Sequence, residues 1–219
     1  MIAISVRNVS KTYQGCPILK SVSFDVTSGS TVGLIGMNGC GKSVLMQIIA
    51  GLVKADCGEV YVNGKQIGKE VDYPNDTGIL INGPAFIPYY SARQNLALLA
   101  AYRNQISKEE IDAVICKVGL DPRKRKGVGK YSTGMKVRLG IAQAIMENPQ
   151  VLLLDEPFNG LDHMGVEDMY RILCELRENG KTILLTSHIK ENIDRLCDSV
   201  LELNEGVVQK ADENGQGDR

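Results

Sequence analysis

Residues 36–43 read Gly-Met-Asn-Gly-Cys-Gly-Lys-Ser. They follow a short apolar stretch, Thr31–Ile35, and precede an amphipathic one over 43–52, with Val44, Leu45, Ile48 and Ile49 at helical spacing and a stop at Gly51. The pattern G-x-x-x-x-G-K-[ST] between a strand and a helix is a phosphate loop. Glycines let consecutive backbone N–H groups turn inward around an anion, and the helix N-terminus adds partial positive charge. In such a loop Gly36, Met37, Asn38, Gly39, Cys40, Gly41, Lys42 and Ser43 all face the nucleotide. Lys42 reaches the β- and γ-phosphates and Ser43 ligates Mg²⁺. A glycine-rich turn without a ligand is the plain alternative, and the flanking strand and helix weigh against it.

The rest of the chain alternates strand and helix signals. Residues 2–6 and the period-two set Val22, Phe24, Val26 read as strands, with a turn at Ser28-Gly29-Ser30. Residues 59–63 lead into an Asn63-Gly64 turn, and 77–81 read as a further strand. From 91 to 148 the character is helical. Ser107 with Glu110 predicts a capping box, and Met135, Leu139, Ala142 and Met146 share a face ending at Asn148-Pro149. Val151–Leu154 and 182–187 read as buried parallel strands, separated by a helix bearing Val166, Met169, Leu173 and Leu176. A last hairpin turns at Asn204-Glu205-Gly206, and 210–219 is expected to be a frayed polar tail. These signals predict an α/β fold with antiparallel strands near the front and a helical block in the middle.

Composition narrows the function. With 25 Lys+Arg against 26 Asp+Glu, the net charge of −1 gives no global field for nucleic acid, and the absence of Trp leaves few stacking platforms. The longest apolar run, 96–102, falls short of the ~18–20 residues that span a bilayer, and the first residues lack a leader's pattern, so a cytoplasmic protein is expected. Cysteines at 16, 40, 57, 116, 174 and 197 form no metal or disulfide framework and are expected to act as small hydrophobes. Cys40 stands apart, because a helix N-terminus favours its thiolate.

An apolar strand that ends in Asp155-Glu156 places two carboxylates where ligands sit in open α/β sheets. Asp155 is suited to hold Mg²⁺ and Glu156 to polarise the attacking water. Upstream, Tyr131-Ser132-Thr133-Gly134-Met135-Lys136 opens an amphipathic helix, chemically a second anion site or a simple N-cap at Ser132. No Asn-Lys-x-Asp guanine motif occurs.

The order of phosphate loop, YSTGMK, VLLLDEP, NGLD at 159–162 and His188 after a strand resembles the ATP-binding-cassette (ABC) family over essentially residues 2–209. The resemblance implies a P-loop NTPase core with an N-terminal antiparallel β-subdomain and an inserted α-helical subdomain. The core would comprise 1–81 and 149–209, and the helical subdomain about 82–148. It implies that Tyr13 stacks on adenine and that Glu156, His188 and Lys42 are catalytic. Ser132 and Gly134 would cap the γ-phosphate held by an opposite subunit, with Asp162 in the D-loop. ATP and Mg²⁺ follow as cofactors, with Ser43, Asp155 and Asn82 around the metal. The partners implied are a membrane-spanning permease and a head-to-tail second cassette, with the chain peripheral on the inner face of the membrane.

Two positions depart from the family pattern. YSTGM stands where LSGGQ is commonest, and Asn82 stands where a glutamine is usual, one methylene shorter. A non-glutamine followed by Pro-Ala-Phe resembles the bacteriocin- and antibiotic-resistance exporters. The alternative is a soluble cassette ATPase without a permease, of the iron–sulfur assembly or translation-factor kind. Phe86, Ile87, Tyr89 and Tyr90 form an apolar stretch that either packs between subdomains or receives a permease helix. The basic run at 123–126 with Lys130 is expected to be a solvated face. His163 is expected to face solvent.

Overall fold

The computed structural model describes residues 1–211. Strand β1 (Ile2–Tyr13) and strand β2 (Cys16–Thr27) form a long hairpin around Gln14-Gly15, both at positive φ (48° and 82°). Two successive positive-φ residues match the twist of the flanking strands. Strand β4 (Cys57–Val62) pairs with the other side of β1, and β5 (Lys65–Gln66) follows through Asn63-Gly64, giving the antiparallel order β2-β1-β4-β5. Ile4, Val6, Val22, Phe24, Val26, Val60 and Val62 are buried on one face, so period-two alternation translates directly into a one-sided sheet.

The second sheet runs in the order β10 (Val207–Lys210), β9 (Ser199–Asn204), β3 (Thr31–Ile35), β8 (Thr182–Thr186), β7 (Val151–Leu154), β6 (Thr77–Leu80). Its parallel members are β3, β6, β7, β8 and β9, with β10 antiparallel at one edge. Every residue of β7 and β8 is buried, because both faces are covered. One face, with Val151, Leu153 and Leu184, packs with the antiparallel sheet and with Leu45, Met46, Ile48 and Ile49 of α1 (Lys42–Ile49). Leu152, Leu154, Ile183 and Leu185 form the other core with the remaining helices.

Helix α1 stops earlier than its apolar run. Gly51 takes φ 75°, and Leu52 N and Val53 N close back on the Gln47 carbonyl at 2.9 and 3.3 Å. The helical block holds α2 (Ala92–Arg103), α3 (Lys108–Lys117), a 3₁₀ turn (Val128–Lys130) and α4 (Thr133–Ile145). Ser107 and Glu110 form the expected capping box, and Ser91 with Gln94 forms a second. Helix α4 lies so close to β6 that a Cβ on Gly78 would stand 1.9 Å from the Ala144 carbonyl oxygen. Helix α5 (His163–Glu178) and the seven-residue α6 (Lys190–Leu196) complete the fold.

Strand β10 includes Lys210, so the polar tail begins after it; residues 212–219 of that expectation lie outside the described residues. Three thiols depart from the small-hydrophobe expectation: Cys16, Cys57 and Cys116 are exposed. Among the described residues no helix is long and apolar enough to cross a membrane.

Candidate functional site

The loop from β3 to α1 is an anion cradle. Gly36 takes φ 152°, and a Cβ there would meet the Leu203 carbonyl oxygen at 2.4 Å; Gly41 takes φ 111° against Ile18 of β2. Both positions require glycine. Helices α2, α3, α4 and α5 are each capped by a side chain (Ser91, Ser107, Ser132, Asp162), whereas α1 has neither a side-chain cap nor an acid in its first turn. Its first N–H groups are therefore left for a ligand. Lys42 is 7 % exposed, and its Nζ donates to the carbonyls of Gly36 (2.7 Å) and Met37 (3.1 Å), with no carboxylate partner among the described residues. A buried ammonium held only by carbonyls, beside uncapped amides, fits a phosphate.

Beside this loop, in sheet order, lie the carboxyl ends of β8 and β7. Thr186 is buried and its Oγ1 donates to Asp155 Oδ1 at 2.7 Å while accepting the Glu156 N–H at 2.9 Å. One hydroxyl thus fixes both acidic residues. Among the described residues Asp155 Oδ2 accepts only the Asn82 N–H at 3.4 Å, leaving acceptor capacity that suits a divalent cation. Glu156 adopts φ 51°, a left-handed conformation that a non-glycine residue holds only when its surroundings enforce it. Its Oε2 accepts a hydrogen bond from His188 Nδ1 at 2.9 Å. Since an ionised carboxylate only accepts, the imidazole proton sits on Nδ1.

Lys42, Asp155, Glu156, Asn82 and His188 are therefore brought to one edge of the sheet. Asn82 takes part through its backbone N–H, at φ 58°. Tyr13 is exposed at the tip of the β1–β2 hairpin, with Lys11 Nζ 5.2 Å from its ring centroid. No hydrogen bond among the described residues joins Ser132, Gly134 or Asp162 to the side chains of that group. Ser132 Oγ accepts the Met135 N–H and Asp162 Oδ1 the Gly165 N–H, so both act as N-caps. Gly134 packs on the NGLD turn, where a Cβ would meet the Gly160 carbonyl oxygen at 2.9 Å. His163 is exposed, as expected. Thr186 was not singled out from sequence; its only signal there is its place at the end of an apolar strand, two residues before His188.

A profile of the family described as ABC transporter matches residues 19–159. An uncharacterized ABC transporter ATP-binding protein of Bacillus subtilis (strain 168), YybJ, is 38% identical over 209 residues, 95% of this chain and 96% of that protein. The bacitracin transport ATP-binding protein BcrA of Enterococcus faecalis is 35% identical over 93% of this chain and 67% of its own length. In three dimensions the chain resembles the dimeric post-hydrolysis structure of the ATP-binding cassette MJ0796 bound to ADP and Pi. That match has a TM-score of 0.85 and 25% identity, and it covers 97% of this chain and 99% of that one.

Proposed function

The chain belongs to the ABC transporter family, and we propose that it is the ATP-hydrolysing subunit powering a membrane exporter of an antimicrobial peptide or drug. The observation that carries the ATPase reading is the placement of Lys42, Asp155, Glu156 and His188 at the carboxyl edge of the parallel sheet, where the uncapped α1 begins after β3.

The α1 amides and the Lys42 ammonium bind the β- and γ-phosphates, and the ring of Tyr13 offers a face to the adenine. Ser43 and Asp155 would hold Mg²⁺, with Asn82 beside them. The ion, when bound, neutralises phosphate charge as the terminal bond breaks. Glu156 accepts the proton of the attacking water, and His188 holds that carboxylate in place through its Nδ1–H. Ser132 and Gly134 sit on a separate turn, which supports their capping the nucleotide of a second cassette in a head-to-tail dimer.

The inferred membrane partner has a surface to meet. Leu98, Leu99 and Tyr102 are exposed, and a cleft of ≈ 750 Å³ lined in part by Leu99 and Tyr102 opens between β6 and the α2–α4 pair. Phe86, by contrast, is partly buried against the core and packs within the chain. This supports a chain working at the inner face of the membrane, docked on a permease.

The test is ATP turnover by the purified chain and by Glu156→Gln, with oligomeric state followed by light scattering. Turnover lost in the variant, which still binds ATP and stays dimeric in its presence, supports the reading. Wild-type turnover by Glu156→Gln overturns the base assignment. Affinity purification from mild detergent that yields only soluble partners overturns the transporter role and favours a soluble cassette ATPase.

A further inference from the structure

The loop between α3 and the 3₁₀ turn carries Arg123, Lys124, Arg125 and Lys126, with Lys130 four residues on. All five side chains are exposed. They make up a fifth of the 25 cations of a chain whose net charge is −1. The ten ion pairs among the described residues involve none of them. The nearby acid, Asp121, caps the Arg123 backbone N–H. Positive charge is therefore concentrated here and, among the described residues, has no ion-pair partner.

The loop is not a free strand of charge. Val128 N donates to the Tyr90 carbonyl and Gly129 N to the Pro88 carbonyl, both at 2.9 Å. The packing allows no side chain at Gly127, where a Cβ would be 2.6 Å from the Pro88 carbonyl oxygen. On the other side of this seam stand Tyr89, 88 % exposed, and Tyr90. Buried Asn95 fixes that segment by accepting the Ile87 N–H and donating to the carbonyls of Ile87, Tyr90 and Ser91. A rigid seam thus presents a polybasic loop and two exposed tyrosines together.

We propose that this basic–aromatic patch is a contact for anionic lipid headgroups at a bilayer surface. Polybasic clusters of four to eight residues bind anionic leaflets, and tyrosines with a wet end and an apolar body sit at the headgroup level. Arg123, Lys124, Arg125, Lys126 and Lys130 are all exposed, so the charge is spread over open surface. Such a display suits a diffuse charged plane better than an acidic peptide, which needs a groove. Because the chain as a whole is slightly acidic, the patch also sets orientation: the face beside residues 87–90 turns to the membrane. The proposal concerns the isolated chain and does not rest on the transporter reading.

The test is flotation of the purified full chain with phosphatidylcholine vesicles prepared with and without phosphatidylglycerol. At low salt the chain floats with the phosphatidylglycerol vesicles, is released as the Debye length shrinks, and stays in solution with the neutral ones. At about 1 kcal/mol per charge, or about fivefold in partitioning, the combined Arg123→Gln, Lys124→Gln, Arg125→Gln and Lys126→Gln variant loses several hundred-fold. Tyr89→Ser weakens flotation further, and ATP turnover without vesicles is unchanged in both variants. Equal flotation of wild type and the fourfold variant overturns the proposal. So does flotation with neutral vesicles alone, or retention on poly-glutamate without any flotation; the last points to an acidic protein segment instead.

Discussion

Thr186→Val removes one hydroxyl and nearly nothing else in volume. It leaves Asp155 Oδ1 without its 2.7 Å donor and the Glu156 N–H without its 2.9 Å acceptor, at a position of zero exposure. A hydrogen bond to a charged group contributes about 1.5–3 kcal/mol, and a buried unpaired N–H costs about 1–3 kcal/mol. Partial relaxation and the gain of an apolar methyl offset some of that, so a loss of about 2–4 kcal/mol is expected. Against a typical total of ~5–15 kcal/mol this is a large fraction. Urea unfolding of the nucleotide-free protein should show it as a lower midpoint at unchanged slope. Turnover reports the second effect. The backbone of Glu156 sits at φ 51° with the Thr186 hydroxyl on its N–H, so kcat should fall at least about tenfold as that post is lost. KM for ATP should change far less, because Lys42 and the loop are untouched, and Thr186→Ser should restore both readings. A Val variant with wild-type midpoint and wild-type kcat would refute the reasoning.

Two further outcomes follow from the thiols. Burial, reinforced by the Asp198 carboxylate, pushes the Cys197 thiol up to about 12. An unfolded thiol ionises near ~8.5, so above that pH the unfolded chain releases a proton that the native chain keeps, and stability falls as pH rises toward 12. Cys197→Ala should flatten the decline in urea midpoint between neutral and alkaline pH. An identical decline in wild type and variant would contradict the assignment. Cys40 lies within the phosphate loop, its Sγ 2.8 Å from where a side chain at Gly36 would begin. In a background lacking the exposed Cys16, Cys57 and Cys116, alkylation of Cys40 should abolish ATP binding, and bound ATP should protect it. Equal labelling with and without ATP counts against this.

What the sequence makes legible is whatever short-range physics decides. Strands β3 and β7 fall at their expected bounds, because a run of apolar residues ended by glycine or by paired acids has one burial pattern open to it. Ser107 with Glu110 caps α3 for an equally local reason. The long β1–β2 hairpin is less visible, since Gln14 is an ordinary residue held at φ 48° by the strands on either side. Helix α6 offers only Asn192, Ile193 and Leu196 to the interior over seven residues, too short for a period to stand out. Thr186 is silent for a different reason: a threonine at the end of an apolar strand looks like a β-former. Its bond to Asp155, 31 residues away, exists only once β7 and β8 lie side by side.

The same contrast between local and long-range contacts bears on the turn that carries Ser132 and Gly134. Glu156 is followed by consecutive tight turns: Asn159 N donates to the Glu156 carbonyl at 3.1 Å and Leu161 N to the Phe158 carbonyl at 3.3 Å. Phe158 is buried against Tyr170 of α5, ring centroids 4.9 Å apart. This short, stiff path ends at Gly160, whose missing side chain would lie 2.7 Å from Thr133 Cγ2, just as that of Gly134 would meet the Gly160 carbonyl oxygen. Arg138 then ties α4 to α5 through Asp168 at 3.0 Å and to α3 through the Val118 carbonyl. The turn bearing Ser132 and Gly134 is therefore packed through its own chain to the loop bearing Glu156. None of the hydrogen bonds among the described residues joins that turn to the phosphate loop. A close-packed glycine contact leaves little slack, so a shift of the Glu156 loop on phosphate binding must move the Ser132 turn with it. In the head-to-tail pair proposed above, each turn would face the partner's nucleotide, and this internal contact would be the route by which occupancy of one site is felt at the other.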